Sequence, residues 1–157
     1  MKLVDVLHPD AVTVDLKSQG KEDIISELVD LFVKTGGVKK ADKSKIVAKL
    51  NERETLGSTG IGKGIGIPHA KSKSVKKMAA AIGISKRGVD FKSLDGELTH
   101  IFFLLIAPGE NPGPHLKCLA KISRLLDDKF IRDMLRSART SQDVFKIVKT
   151  EEQKKTQ

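Results

Sequence analysis

Chemistry concentrates in one run of this sequence, Arg53-Glu54-Thr55-Leu56-Gly57-Ser58-Thr59-Gly60-Ile61-Gly62-Lys63-Gly64-Ile65-Gly66-Ile67-Pro68-His69. Five of the thirteen glycines fall between positions 57 and 66. Glycine carries a high backbone-entropy cost, so such a cluster marks a place where the chain turns sharply or brings its own N–H groups close to something, often an anion. Phosphate is the obvious anion. Ser58 and Thr59 offer hydroxyls, Gly60 and Gly62 offer backbone amides, and Arg53 offers a planar fork of donors matched to phosphate oxygens. The run closes on His69, and because Pro68 fixes its own φ, the direction in which the next side chain leaves is partly set. A lone histidine at a strand end is ordinarily a surface or hydrogen-bonded core residue. The company of Arg53 and the hydroxyls is what makes His69 part of a candidate anion site.

Two familiar phosphate loops fail to fit. Gly57 to Lys63 matches the glycine and lysine spacing of a P-loop, but Gly64 follows where Ser or Thr belongs, and the flanking elements are in the wrong order. The dinucleotide fingerprint fails because Ile65 occupies the place of its third glycine. His115 follows the loop Pro108-Gly109-Glu110-Asn111-Pro112-Gly113-Pro114 and opens a helix whose N-terminus favours negative charge. It faces the same phosphate or is simply a helix-start residue, and spacing alone leaves both readings open. His115 and Cys118 share a helical turn, yet a zinc site needs further ligands at recognisable spacing and there is no other cysteine. No metal and no cofactor are expected, and Cys118 reads as core.

The chain has 157 residues, enough for one domain with its own core, expected over residues 1–150 with a fraying polar tail at 151–157. The longest apolar stretch, Ile101 to Ala107, is far too short for a membrane span, and Asp5 and Pro9 interrupt the N-terminus before a signal peptide could develop. A single cysteine agrees with a reducing compartment, so the cytoplasm is the expected location and no direct membrane insertion is expected. Net charge is +9. That excess raises nucleic acid as a partner, but the chain has no Trp or Tyr for base stacking and no finger or RNP motif, so no nucleic-acid partner is expected.

The elements that must position these residues alternate. A strand is expected at Ala11 to Leu16. Ile24, Ile25, Leu28, Leu31 and Phe32 then fall on one face of a helix over Lys21 to Thr35 closed by Gly36-Gly37. Asp42 caps a second helix running to about Glu54, with Arg53 in its last turn. Strands are expected at Ile65 to Pro68, Met78 to Ser85 and Thr99 to Ala107, the last apolar throughout, as a strand covered on both faces would be. Three helical stripes follow: Leu116, Leu119, Ile122 and Leu126; Phe130, Ile131, Met134 and Leu135; and Val144, Phe145 and Val148, the last opened by a Thr140–Asp143 capping box. The fold class is α/β, a single domain with a central mixed β-sheet flanked by helices on both faces.

From Leu3 to about Ile147 the sequence resembles the enzyme IIA domain of the fructose/mannitol/nitrogen type of the bacterial phosphotransferase system (PTS). The specific residues are Arg53-Glu54, Ser58-Thr59-Gly60-Ile61-Gly62, and Gly64-Ile65-Gly66-Ile67-Pro68-His69-Ala70, similar to the family's phosphorylation signature. His115-Leu116, Leu119-Ala120 and Ile122-Ser123-Arg124-Leu125-Leu126 resemble its second histidine and the helix that carries it. The resemblance implies that His69 accepts a phosphoryl group through Nε2 from a phospho-HPr-type donor or its nitrogen-branch homologue. Arg53 and His115 would stand beside it, and a IIB-type acceptor would receive the group. The alternative is a regulatory module whose phosphorylation controls a transporter or kinase without onward transfer; the lack of a fused IIB or membrane domain favours it, and the chain looks most like the nitrogen-type member. Two departures stand out: Gly66 replaces the family's usual Ala, and the basic charge is unusual opposite an HPr that docks partly through its own basic residues.

Overall fold

The computed structural model describes residues 1–109 and 112–155. The elements in chain order are α1 (Leu3–Val6), β1 (Leu7–Thr13), α2 (Lys21–Thr35), α3 (Lys43–Thr55), β2 (Gly60–Gly62), β3 (Ile65–Gly66), β4 (His69–Lys71), β5 (Ala79–Val89), β6 (Thr99–Ala107), α4 (Pro112–Asp127), α5 (Lys129–Ser137) and α6 (Ser141–Lys155). Successive side chains of a strand point to opposite faces, and β6 uses both. Ile101, Phe103 and Leu105 enter a core with Cys118, Ile122, Ile131 and Val144 of α4, α5 and α6. Phe102, Leu104 and Ile106 enter another with Ile24, Leu28, Phe32, Ile46 and Leu50 of α2 and α3. The unbroken apolar run of β6 is thus the signature of a strand with helices on both sides, as the sequence requires.

The sheet order is β1-β5-β6-β3-β2, with β4 also beside β6. It is mixed: β5–β6 and β2–β3 run antiparallel, whereas β1–β5, β3–β6 and β4–β6 run parallel. Helix α2 lies close to the sheet at Gly83, where an added Cβ would meet Leu16 Cδ1 at 2.6 Å and Leu28 Cδ2 at 2.8 Å. The chain leaves α2 through Gly36 at φ 83°, the left-handed cap that glycine adopts without a Cβ clash. Among the described residues no helix is long and apolar enough to cross a membrane.

Several local expectations shift. Strand β1 starts at Leu7 rather than Ala11, because it is an edge strand whose irregular pairing between Leu7 and Val12 accommodates Pro9. Asp42 stands at the N-cap of α3 but makes no side-chain cap bond; a one-turn 3-10 helix, Lys40–Asp42, already gives it helical φ and ψ. The Thr140 hydroxyl does cap α6, accepting from Asp143 N at 3.1 Å. Leu116 is 62% exposed: it lies about 120° around α4 from Ile122, so it cannot share the buried stripe of Cys118, Ile122, Leu125 and Leu126. Phe130 is likewise exposed, while Ile131 and Leu135 face the core. The tail does not fray at its start, for α6 runs to Lys155 and the Glu152 carboxylate accepts from Leu3 N at 2.6 Å and Val4 N at 3.0 Å, holding α1. Residues 156 and 157 lie outside the described residues.

Candidate active site

The glycine cluster folds as a β-hairpin. Gly60 pairs with Gly66 and Gly62 with Ile65, and the two-residue turn between them has Lys63 at φ 59° and Gly64 at φ 77°. Positive φ at both turn positions matches the right-handed twist of the two strands and favours glycine at the second. The hairpin's second strand then runs parallel to β6, and the chain continues along it through Pro68, whose carbonyl accepts from Leu105 N at 3.0 Å, to place His69 opposite Leu105. Gly66 is tightly enclosed: a Cβ there would meet Thr99 Cγ2 at 3.3 Å and the rings of Phe102 and Phe91 at 3.4 Å.

Glu54 ties the start of this hairpin to the end of α3. Its carboxylate, 8% exposed, accepts from Thr59 N at 3.1 Å and Thr59 Oγ1 at 2.5 Å, and pairs with Lys21 Nζ at 3.0 Å. One residue earlier, Arg53 donates from Nη1 to Gly57 O at 2.9 Å, so the guanidinium is held by the same corner of the chain. Arg53, His69 and His115 all line one open cavity of about 590 Å³, together with Leu56, Lys71, Leu116 and others.

His69 sits half-buried with Nδ1 2.8 Å from Ile67 O. A carbonyl oxygen only accepts, so Nδ1 must carry the proton and Nε2 keeps its lone pair. Burial, aided by the positive charge of Arg53, holds the imidazole below its ordinary pKa of 6.5 and favours the neutral, nucleophilic form. The His115 ring lies 5.5 Å away between centroids, tilted by 55°. Burial and then the neighbouring His69 push its pKa down to about 4. Among the described residues its buried Nδ1 has no hydrogen-bond partner, leaving that ring polar and unsatisfied beside the imidazole of His69. Of the two readings left open for His115, this geometry favours the one that puts it at the site.

A family model for the EIIA 2 domain of the phosphoenolpyruvate-dependent sugar phosphotransferase system matches residues 5–151. The chain belongs to this EIIA family. Membership makes it a phosphotransfer component. It is 37% identical over 148 residues to the PTS system fructose-specific EIIABC component of Bacillus subtilis, a match that covers 94% of this chain and 23% of that protein. To a nitrogen regulatory protein of Bradyrhizobium diazoefficiens it is 33% identical, over 94% of this chain and 95% of the other. Its fold superposes on the nitrogen regulatory protein IIA-Ntr of Neisseria meningitidis with a TM-score of 0.82 at 28% identity, covering 92% of this chain and 97% of that one.

The structure brings together only part of the expected site of this EIIA domain. Ser58, Thr59, Gly60 and Gly62 do not line the cavity of His69. Ser58 Oγ donates to Phe91 O at 2.9 Å and accepts from Gly60 N at 3.0 Å; Thr59 is buried on Glu54; Gly62 packs against the Asp95 side chain. Their polar groups hold the hairpin instead of facing the cavity. Sequence reasoning assigned no role to Glu54, although it lies next to Arg53 in the signature run. It also placed Leu116 in the core, whereas Leu116 and the 82% exposed Leu56 rim the site. Cys118 is core as expected, its thiol pushed up to about 11 by burial and therefore inert.

The histidine pair sets an acid limb of stability. Between pH 6.5 and about 4 an unfolded chain protonates residue 115 while the folded one does not, so the unfolded state binds more protons and stability falls as pH drops through that window. The lowered pKa of His69 adds a contribution of the same sign. In urea titrations across this range, His115→Gln is expected to lose less stability on acidification than the parent; parallel pH curves for the two would remove His115 from the buried site.

Proposed function

We propose that this EIIA chain carries a phosphoryl group on Nε2 of His69, taking it from the phosphohistidine of an HPr-type carrier and giving it to a IIB-type acceptor. The observation that supports this reading most is the Nδ1 contact to Ile67 O, which assigns the free lone pair to Nε2 of a ring that shares its cavity with a guanidinium and a second imidazole. Nε2 attacks the donor phosphorus in line; the new N–P bond forms as the donor's N–P bond breaks, and its electron pair returns to the donor imidazole. The proton stays on Nδ1, donated to the Ile67 carbonyl, throughout. Charge in such a loose transition state gathers on the three peripheral oxygens, so catalysis is mostly positioning and electrostatics. Arg53 supplies the charged fork, and neutral His115 supplies a ring N–H donor beside it. The hairpin residues Ser58, Thr59, Gly60 and Gly62 support the reaction by holding His69 and Arg53 in register.

Incubation with phosphoenolpyruvate, enzyme I and HPr, followed by mass spectrometry, tests the reading: one acid-labile phosphoryl group is expected on the peptide containing His69. Arg53→Lys keeps a charge but loses the fork, and slows transfer on the order of a hundredfold, about 3 kcal/mol. An unchanged rate in that variant removes Arg53 from the transition state. The likeness to nitrogen regulatory proteins over nearly their whole length keeps a second reading open, in which the phosphoryl group on His69 is a switch for a transporter or kinase and moves no further. A chase of the phosphorylated chain with IIB domains separates the two.

A further inference from the structure

Next to the His69 cavity lies a second depression of about 580 Å³, between α3 and the segment that follows His69, lined by Lys45, Lys49, Lys71 and Lys73 among others. The two share Lys49, Glu52 and Lys71, so one opens onto the other. Among the described residues their walls together carry five cationic side chains, Arg53 included, against the single carboxylate of Glu52. Lys71 and Lys73 are exposed and, among the described residues, join no ion pair; Lys45 and Lys49 meet Asp42 and Glu52 only at 3.9 Å and in solvent, which neutralises little. The opposite rim is apolar, formed by the exposed Leu56 and Leu116 with Leu119.

We propose that the phosphoryl donor of this chain is a protein that presents its phosphohistidine within an acidic face, which docks over this lysine-lined groove. The proposal rests on the carrier function of His69. A protein that brings a phosphoryl group to Nε2 must overlie the rim of the cavity, and so comes within about one Debye length, roughly 8 Å, of Lys49 and Lys71. A basic face would meet like charge there, whereas an acidic one is steered in. The combination of an apolar rim with a charged flank fits a protein surface, with Leu56 and Leu116 as apolar anchors. A free anion would have no use for those leucines, and nucleic acid would find no Phe, Tyr or Trp among the described lining residues to stack on.

The test compares two donors with the full chain: a phosphorylated HPr-type protein with basic residues around its histidine, and the same protein with those residues changed to Glu. Both are charged chemically with phosphoramidate, so that no upstream enzyme biases the result. At low salt the acidic-faced donor is expected to label His69 with a kcat/KM about tenfold higher, and high salt abolishes the difference. Lys45→Glu/Lys73→Glu, which alters exposed residues lining only the neighbouring depression, is expected to abolish the preference with kcat at saturating donor unchanged. Equal rates from the two donors at low salt, a faster basic-faced donor, or a preference that Lys45→Glu/Lys73→Glu leaves in place overturns the acidic docking face while the carrier function stands. A DNA oligonucleotide that blocks labelling at low salt overturns it in favour of a nucleic-acid surface. No label on His69 from either donor overturns the carrier function as well.

Discussion

His69→Ala and His69→Gln are expected to take up no acid-labile phosphoryl group from a phosphorylated donor, whereas the parent chain is expected to take up one. The loss is complete because the bond to be formed has one competent nitrogen in this cavity. The Ile67 carbonyl commits the proton to Nδ1 of His69 and leaves Nε2 free. His115 has the same ring chemistry, but among the described residues its Nδ1 has no such partner to fix a tautomer. Burial also disfavours the charge it would gain on phosphorylation, as its pKa of about 4 reports for protonation. His115→Ala should therefore still be labelled, while passing the group onward more slowly, since a donor to the peripheral oxygens is lost. His69→Gln controls for folding, because the side chain is only half-buried and its amide can still donate to the Ile67 carbonyl. A phosphoryl label that survives on His69→Gln, or one that disappears with His115→Ala instead, moves the acceptor to the second ring.

The second large effect is on stability and lies at Glu54. Its carboxylate is the common partner of the Thr59 amide, the Thr59 hydroxyl and the Lys21 ammonium, and it is almost out of solvent. Glu54→Ala strands a buried N–H and hydroxyl together with a mostly buried cation, at a cost of about 3 kcal/mol. Lys21 keeps part of its company, a bond to Phe91 O at 3.2 Å and the Phe91 ring 4.6 Å below its ammonium, which holds the cost near the lower end for a broken buried pair. Glu54→Gln retains an acceptor for Thr59 and costs less than Glu54→Ala. Chemical denaturation measures both, and a Lys21→Met/Glu54→Gln pair recovers part of the loss if the ion pair is its source. Because the carboxylate joins the end of α3 to the hairpin, the Ala variant also loosens Arg53 relative to His69 and slows phosphoryl transfer. A loss below about 0.5 kcal/mol would mean that the hairpin does not depend on Glu54.

How much was legible in advance follows from how local each signal is. The run Ile101–Ala107 within β6 is apolar at every position, and a strand with no polar face must be covered twice; that alone dictates a central β6 and helices on both sides. The 15 residues of α2 carry their own stripe and their own glycine stop, and appear in the structure with the expected bounds. The pairing of Arg53 with a Pro68-His69 corner likewise sits within one stretch of chain, and the fold does bring the two side chains to one cavity. The sequence by itself determined, then, the layers of the domain and the residue types that meet in the candidate site, because periodicity and residue type are properties of short segments.

The tertiary structure decided what each polar group was left to do. The glycines of residues 57 to 66 read as a cradle for an anion, yet their strands close on one another and on β6, so their freedom is spent on a hairpin turn. Glu54 became the anchor of that hairpin only because α2 delivers Lys21 to it from 33 positions away. Leu116 is apolar by composition but faces out, since the buried side of α4 is chosen by where the sheet lies. Even the bond that selects Nε2 of His69 depends on the backbone bend at Pro68, and the unpaired ring of His115 meets it across 46 residues of sequence. Burial and hydrogen-bond partnership belong to pairs of segments brought together by packing, and no single segment encodes them.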